Sequence, residues 1–192
     1  MTAILFPASG LSSRMGGQDK LTREIDGVPI LLRQVQRGLE TGCSVYVAVP
    51  SMDHPRAQLL KGSGANCVLG SKAGLSDTLR MAVAAMPNRD LMICLPDMPD
   101  IRAADFTRLI QIRDTNPDYL IWRYGCDGRL GHPILFSSAL LRLFRQLSGD
   151  HGAAEIVQAH KEQMCVIDQD DERYLRDLDT MDDWLRYEKS RR

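Results

Sequence analysis

Two places in this 192-residue sequence combine residue types that could do chemistry: a glycine-containing polar loop and a carboxylate at the end of an apolar run. The loop, SGLSSRMGGQDK, carries Gly10, Gly16 and Gly17 with Arg14 and Lys20. Glycines let backbone N–H groups come close to an anion. Arg14 offers a planar fork for phosphate oxygens and Lys20 a mobile point charge. Such a set could hold a triphosphate. The spacing fits neither GxxxxGK[ST] nor GxGxxG before a helix, so a solvated surface loop stays open as the plain alternative. The carboxylate is Asp97, which follows LMICLP and lies between Pro96 and Pro99. A carboxylate at the rim of a sheet is a natural magnesium ligand. An Asx-type turn explains it as well, and Asp100 reads as a cap of that kind.

These residues need a frame that brings them together. TAILFPA (2–8), SVYVAVP (44–50), NCVLG (66–70) and LMICLP (91–96) read as buried strands. Helices are predicted at 29–41, 53–61 and after Ser76, which reads as an N-cap. Strands alternating with helices through residue 115 predict a parallel sheet, with LMICLP as a central parallel strand. In such a sheet, ligands bind beyond the carboxyl ends of the strands, where both candidate segments lie. From residue 116 the pattern turns mixed: YLIWRY, a turn at CDGR, PILF, helices at 137–147 and 152–160, a strand at 164–168 and a last helix from 180 to 188.

The bulk chemistry narrows the partners. With 24 basic and 25 acidic residues the net charge is -1, which lacks the basic footprint of a nucleic-acid polymer binder. The five cysteines are scattered and never in CxxC spacing, so they predict neither a disulfide framework nor a zinc site, and place the chain in a reducing cytoplasm. No signal-peptide pattern opens the sequence, and no apolar stretch reaches the ~20 residues that span a bilayer. His132 is expected exposed in a turn before Pro133, and His151 at the surface. Asp179 reads either as a second metal ligand or as part of a helix cap. Trp122 and Tyr124 read as packing residues.

Six segments then carry a resemblance. PASGLSSRMGGQDK, AGLSDTLRMAV, LPDMP, GHPILF, SGDHGAAEIV and DLDTMDDW follow one another in that order, within matches that span residues 3 to 184. They resemble the signatures of the molybdenum-cofactor nucleotidyltransferase family, whose cytidylyl branch is nearest. The resemblance implies one α/β domain over 1–192, with a Rossmann-like three-layer fold and a mostly parallel central sheet. Residues 1–115 would bind nucleotide and 116–192 the acceptor. It implies transfer of CMP from CTP to the terminal phosphate of molybdopterin, with Mg²⁺ as cofactor and pyrophosphate as leaving group. Use of GTP is the alternative within the family, a non-catalytic cofactor carrier the alternative outside it, and a downstream molybdoenzyme a possible partner. Arg14, Lys20 and Asp97 would be catalytic, with Asp97 on the metal. Ala8, Ser9, Gly10, Ser12, Gly16 and Ser76 would join them around the nucleotide, and His132, Asp150 and Gly152 would face the acceptor. The chain departs from the family pattern at Pro7, at Ser9 and at Ala154, where the family has arginine.

Overall fold

The computed structural model describes residues 1–10 and 19–191. The chain begins with β1 (Thr2–Pro7), then a two-strand ribbon of β2 (Glu24–Ile25) and β3 (Val28–Pro29). There follow α1 (Ile30–Leu39), β4 (Ser44–Val49), α2 (Pro55–Leu59), β5 (Asn66–Leu69), α3 (Leu75–Ala85), β6 (Asp90–Ile93) and α4 (Ala103–Thr115). The second part holds β7 (Ile121–Cys126), β8 (Arg129–Phe136), α5 (Leu141–Phe144), α6 (Ala154–Ala159), β9 (Met164–Asp168) and α7 (Met181–Ser190).

Seven strands make one sheet in the order β5-β4-β1-β6-β8-β7-β9. β1 pairs in parallel with β4 and β6, β4 with β5, and β7 with β9, while β8 runs antiparallel to β6 and β7. Alternation of side chains along each strand divides the core. Ile4, Phe6, Val47, Met92, Trp122 and Leu135 face one side with residues of α1, α4 and α7. Leu5, Ala48, Leu91, Ile93, Ile121 and Phe136 face the other with residues of α3, α5 and α6. The result is the three-layer α/β arrangement with a mostly parallel sheet that the sequence predicts.

Three local expectations need correction. LMICLP is parallel to its neighbour on one side only, because the hairpin after α4 turns the chain back and sets β8 antiparallel beside β6. Asp127 (φ 50°) and Gly128 (φ 72°) both sit in left-handed backbone, the two-residue turn that matches strand twist. The helices expected at 137–147 and 152–160 shrink to a 3₁₀ turn over Ser138–Leu140 with α5, and to α6. Finally, α3 is entered from Gly74, so Ser76 lies inside the helix and is not its N-cap.

The order of strands matters for the site. From β1 the chain moves outward to β4 and β5, then crosses to β6 on the opposite side of β1. That reversal leaves a crevice between the carboxyl ends of β1 and β6, the usual ligand position in an open α/β sheet.

Candidate functional site

At the carboxyl end of β1, Ala8 and Ser9 are buried and Gly10 is exposed. The loop they begin returns at Asp19 and Lys20. Ser12, Arg14 and Gly16, with Gly17, lie outside the described residues. Lys20 Nζ donates to Asp97 Oδ2 and to Asp179 Oδ1. The two segments singled out by their chemistry are therefore in direct contact. Burial disfavours the lysine charge, but the two carboxylates outweigh burial and raise its pKa. Asp179 is brought there by backbone: Leu178 N–H donates to Asp97 O at 3.0 Å, zipping the DLD segment onto PDMP. Asp177 completes the acidic group, and burial together with Asp97 and Asp179 pushes its carboxyl up.

Asp97 is 7% exposed, and its Oδ1 is buried with no hydrogen-bond partner among the described residues. A buried carboxylate oxygen left unpaired is costly. It is explained if a cation completes it. Among the described residues no group of three or more His, Cys, Asp or Glu is placed to hold a metal. Magnesium held by one carboxylate and substrate phosphates needs no such cluster. The chemistry of Asp97 thus fits a divalent ion whose other ligands are oxygens.

Sequence reasoning missed the residue that frames the loop. Arg56, from α2, is 3% exposed. Its Nη1 donates to Ala8 O (2.6 Å) and Gly10 O (2.8 Å), while Nε and Nη2 form a fork on Asp19 (both 2.7 Å). One guanidinium therefore ties the entrance of the 11–18 segment to its exit. Burial would raise the Asp19 pKa, but the Arg56 charge and hydrogen bond outweigh that and lower it. Nothing in a lone arginine of a short helix announces this role.

Behind the loop, Ser9 is committed to structure. Its hydroxyl donates to Ser71 O (2.9 Å) and lies 2.6 Å from the Thr78 hydroxyl. Ser76 is fully buried and accepts from Gly152 N–H at 2.9 Å. That bond joins α3 to the 149–153 loop, where Gly152 adopts φ 60° and a Cβ would collide with Leu75. Asp150 is exposed and lies against Gly74, at the start of the same helix. So Ser76, Asp150 and Gly152 share one junction.

His132 is not in an exposed turn. It lies partly buried in β8, with Nδ1 3.4 Å from Ile93 O. Burial and the nearby Arg123 charge push its pKa down to about 4. His151 is exposed, as expected. Both line a cavity of about 380 Å³ between β8 and α6 that reaches Leu95, two residues from Asp97. Asp100 is not a cap: it takes Arg176 (2.8 Å) and the Tyr187 hydroxyl (2.9 Å), while α4 starts from Arg102. Asp179 is not a cap either, since Thr180 and Asp183 form the capping box of α7. Trp122 and Tyr124 pack in the core, the latter stacked 4.0 Å from Tyr174.

The sequence model of the MobA-like NTP transferase domain matches residues 4–164. The chain belongs to that family. No curated protein matches the chain in sequence. Solved structures share the fold of this chain along nearly its whole length. Rv0371c from Mycobacterium tuberculosis H37Rv is 22% identical, with 98% of this chain and 97% of that one covered at a TM-score of 0.83. The same mycobacterial protein is known as a complex with manganese, at 20% identity, 98% coverage of each chain and a TM-score of 0.78. A nucleotidyl transferase from Methanothermobacter is 17% identical over 99% of this chain and 97% of its own, with a TM-score of 0.83. A CMP:2-keto-3-deoxy-manno-octonic acid synthetase complexed with CTP is also 17% identical, covering 99% and 96%, with a TM-score of 0.72. Among the described residues, no helix is long and apolar enough to cross a membrane.

Proposed function

We propose that the protein transfers a nucleoside monophosphate from an NTP to a phosphorylated acceptor, with CTP favoured over GTP and molybdopterin as the acceptor. The observation that carries this reading is the convergence of Lys20 and Asp97 in the crevice between β1 and β6, with Asp97 Oδ1 unpartnered. The family match and the fold shared with a CTP-bound synthetase support it.

In the proposed reaction an acceptor phosphate oxygen attacks the α-phosphorus in line. The bond to the bridging oxygen breaks, and pyrophosphate leaves with that electron pair. A phosphate nucleophile is already anionic at neutral pH, so no side chain needs to remove a proton. Positioning and charge stabilisation then supply the catalysis. Asp97 Oδ1 would hold the divalent ion, Mg²⁺ by this reading. When bound, the ion supplies Lewis-acid charge at the α-phosphate. Lys20 would exchange part of its pairing with Asp97 and Asp179 for phosphate oxygens. Arg14 would add a second cation, and Ala8, Ser9 and Gly10 would shape the loop around the nucleotide. Ser76 would act through Gly152 by fixing the acceptor-side loop. Reduced, unpaired cysteines agree with a cytoplasmic enzyme.

Pyrophosphate release tests the proposal. The protein is incubated with each NTP, Mg²⁺ and molybdenum-bound molybdopterin. Release with CTP in clear excess over the other three supports it, and release with GTP alone moves it to guanylyl transfer. Cofactor binding without release from any NTP supports a carrier instead. A second reading keeps cytidylyl transfer but changes the acceptor. Ala154, where the resembling family has arginine, favours it, and release that requires a sugar acid or polyol phosphate would establish it.

A further inference from the structure

Arg123 is a buried cation that, among the described residues, has no acid beside it. It projects from β7, between Ile134 of β8 and Val166 of β9 in register, and is 8% exposed. Its Nε (3.1 Å) and Nη2 (2.7 Å) both donate to one acceptor, Gly131 O. Among the described residues no carboxylate pairs with it, and no hydrogen bond engages Nη1. Desolvation alone brings its pKa to about 10. A guanidinium withdrawn from water without a counter-charge costs several kcal/mol on general grounds. A core-packing role alone would be served by an apolar side chain.

The surroundings say what would offset that cost. Arg123 lines the 380 Å³ cavity together with apolar Leu79, Ile134, Phe136 and Val157 and polar His132 and Gln158. Two hydrogen bonds to Gly131 O orient the guanidinium, and only glycine fits at 131, where a Cβ would meet Tyr174 O at 2.3 Å. His132 adds no charge of its own. A carbonyl oxygen only accepts, so the contact with Ile93 O places the ring proton on Nδ1 and leaves Nε2 without one. The cavity therefore offers one oriented guanidinium on a largely apolar wall, with His132, His151 and Gln158 as its other polar side chains.

We propose that Arg123 receives an anionic group of the acceptor, a phosphate ester or a carboxylate, while the acceptor's apolar or planar body fills the cavity. The acceptor's identity as a substrate rests on the nucleotidyl-transfer reading, whereas the anion site stands on the geometry of Arg123.

The test uses phenyl phosphate, benzoate and the uncharged benzamide as probes, titrated into the full-length protein. Histidine ring resonances report the place of binding. His132 lines the cavity, whereas His54 lies beside Asp19 and Arg56 at the nucleotide loop. At least one anion should shift His132 and bind at least tenfold more tightly than benzamide. Phenyl phosphate and benzoate together tell an ester from a carboxylate. In Arg123→Met the gap should fall within twofold. Arg123→Lys should keep part of it, since it retains the charge and loses the fork. Benzamide binding as tightly as both anions to the wild-type protein would overturn the proposal even if neither variant folded. So would a tenfold gap that survives in Arg123→Met, or anions that move His54 in place of His132. CTP and GTP binding in the presence of Mg²⁺ is measured separately. If neither nucleotide binds while the anion gap is present, nucleotidyl transfer falls and the Arg123 site stands.

Discussion

The two oxygens of Asp97 have different surroundings, and that difference sets the first prediction. Oδ2 accepts from Lys20, whereas Oδ1 is buried and unpaired. Asp97→Asn keeps the shape and an oxygen for Lys20 but removes the charge that a divalent ion requires. We expect kcat to fall at least a hundredfold, with a thermal midpoint within a few degrees of wild type. A near-normal rate in that folded variant would remove the metal assignment. Arg56 predicts the opposite balance, because its contacts are internal. Truncation to methionine leaves Asp19 and the carbonyls of Ala8 and Gly10 without this donor. Breaking a largely buried pair in this way costs roughly 2–4 kcal/mol. Urea denaturation of Arg56→Met should show a loss of that size, and Arg56→Lys should recover little, since one ammonium cannot reach all these acceptors.

Polar contacts join elements at this rim, and the contact of α3 with the 149–153 loop is one such joint. Ser76 Oγ is the acceptor for the buried Gly152 N–H. Ser76→Ala should destabilise the protein by about 1–2 kcal/mol. Its more specific mark should be a loss of hydrogen-exchange protection at Gly152, with β1 and β4 amides unchanged. Unchanged protection at Gly152 would show that the loop is held by other means. The same joint shows what could be read from sequence. The apolar runs of β1, β4 and β5, and the helical spacing of α1, were legible because strand and helix periods are local. Lys20 and Asp97 were legible because each lies at the end of such a run. Arg56 was not, because its value lies in acceptors 37 to 48 residues away. Asp179 reads from sequence as a ligand or a cap, and its pairing with Lys20, 159 residues distant, depends on how the C-terminal segment returns to β6. Ser76 reads as a cap because a serine side chain carries that signal, whereas Gly74 caps through backbone alone, and the side-by-side placing of β8 and β6 is set by a pairing between strands remote in sequence.

At the scale of the whole molecule, charges held away from their usual pKa values decide how stability varies with pH. His132 is depressed to about 4 by burial and by Arg123, with the Ile93 carbonyl opposing the shift. In the unfolded chain a histidine takes up its proton near pH 6.5. Between these values the unfolded state binds a proton that the folded state refuses, so stability falls as pH falls through that window. The loss for this one group is about 2 kcal/mol at pH 5 relative to pH 7.5. Asp19 acts lower down: its depressed pKa contributes stability above 3.8 that is lost as pH drops through the folded value. Lys20 acts at the other end. Its raised pKa contributes stability that is present below 10.5 and lost as pH rises through the folded value. Stability is therefore greatest at about pH 7 to 8: the acid shoulder belongs to His132 with a part from His54, and on the alkaline side Cys94 and the other thiols raised by burial keep protons that the unfolded chain gives up near 9.0. Urea midpoints at pH 7.5 and pH 5 should separate in the wild-type protein and draw together in His132→Gln, whose amide does not titrate. Ring titration gives a check that needs no variant. A His132 resonance that titrates near 6.5 in the folded protein would mean that the ring is solvated, and the cavity beside Arg123 would then be wetter and less selective for an anion than its apolar wall implies.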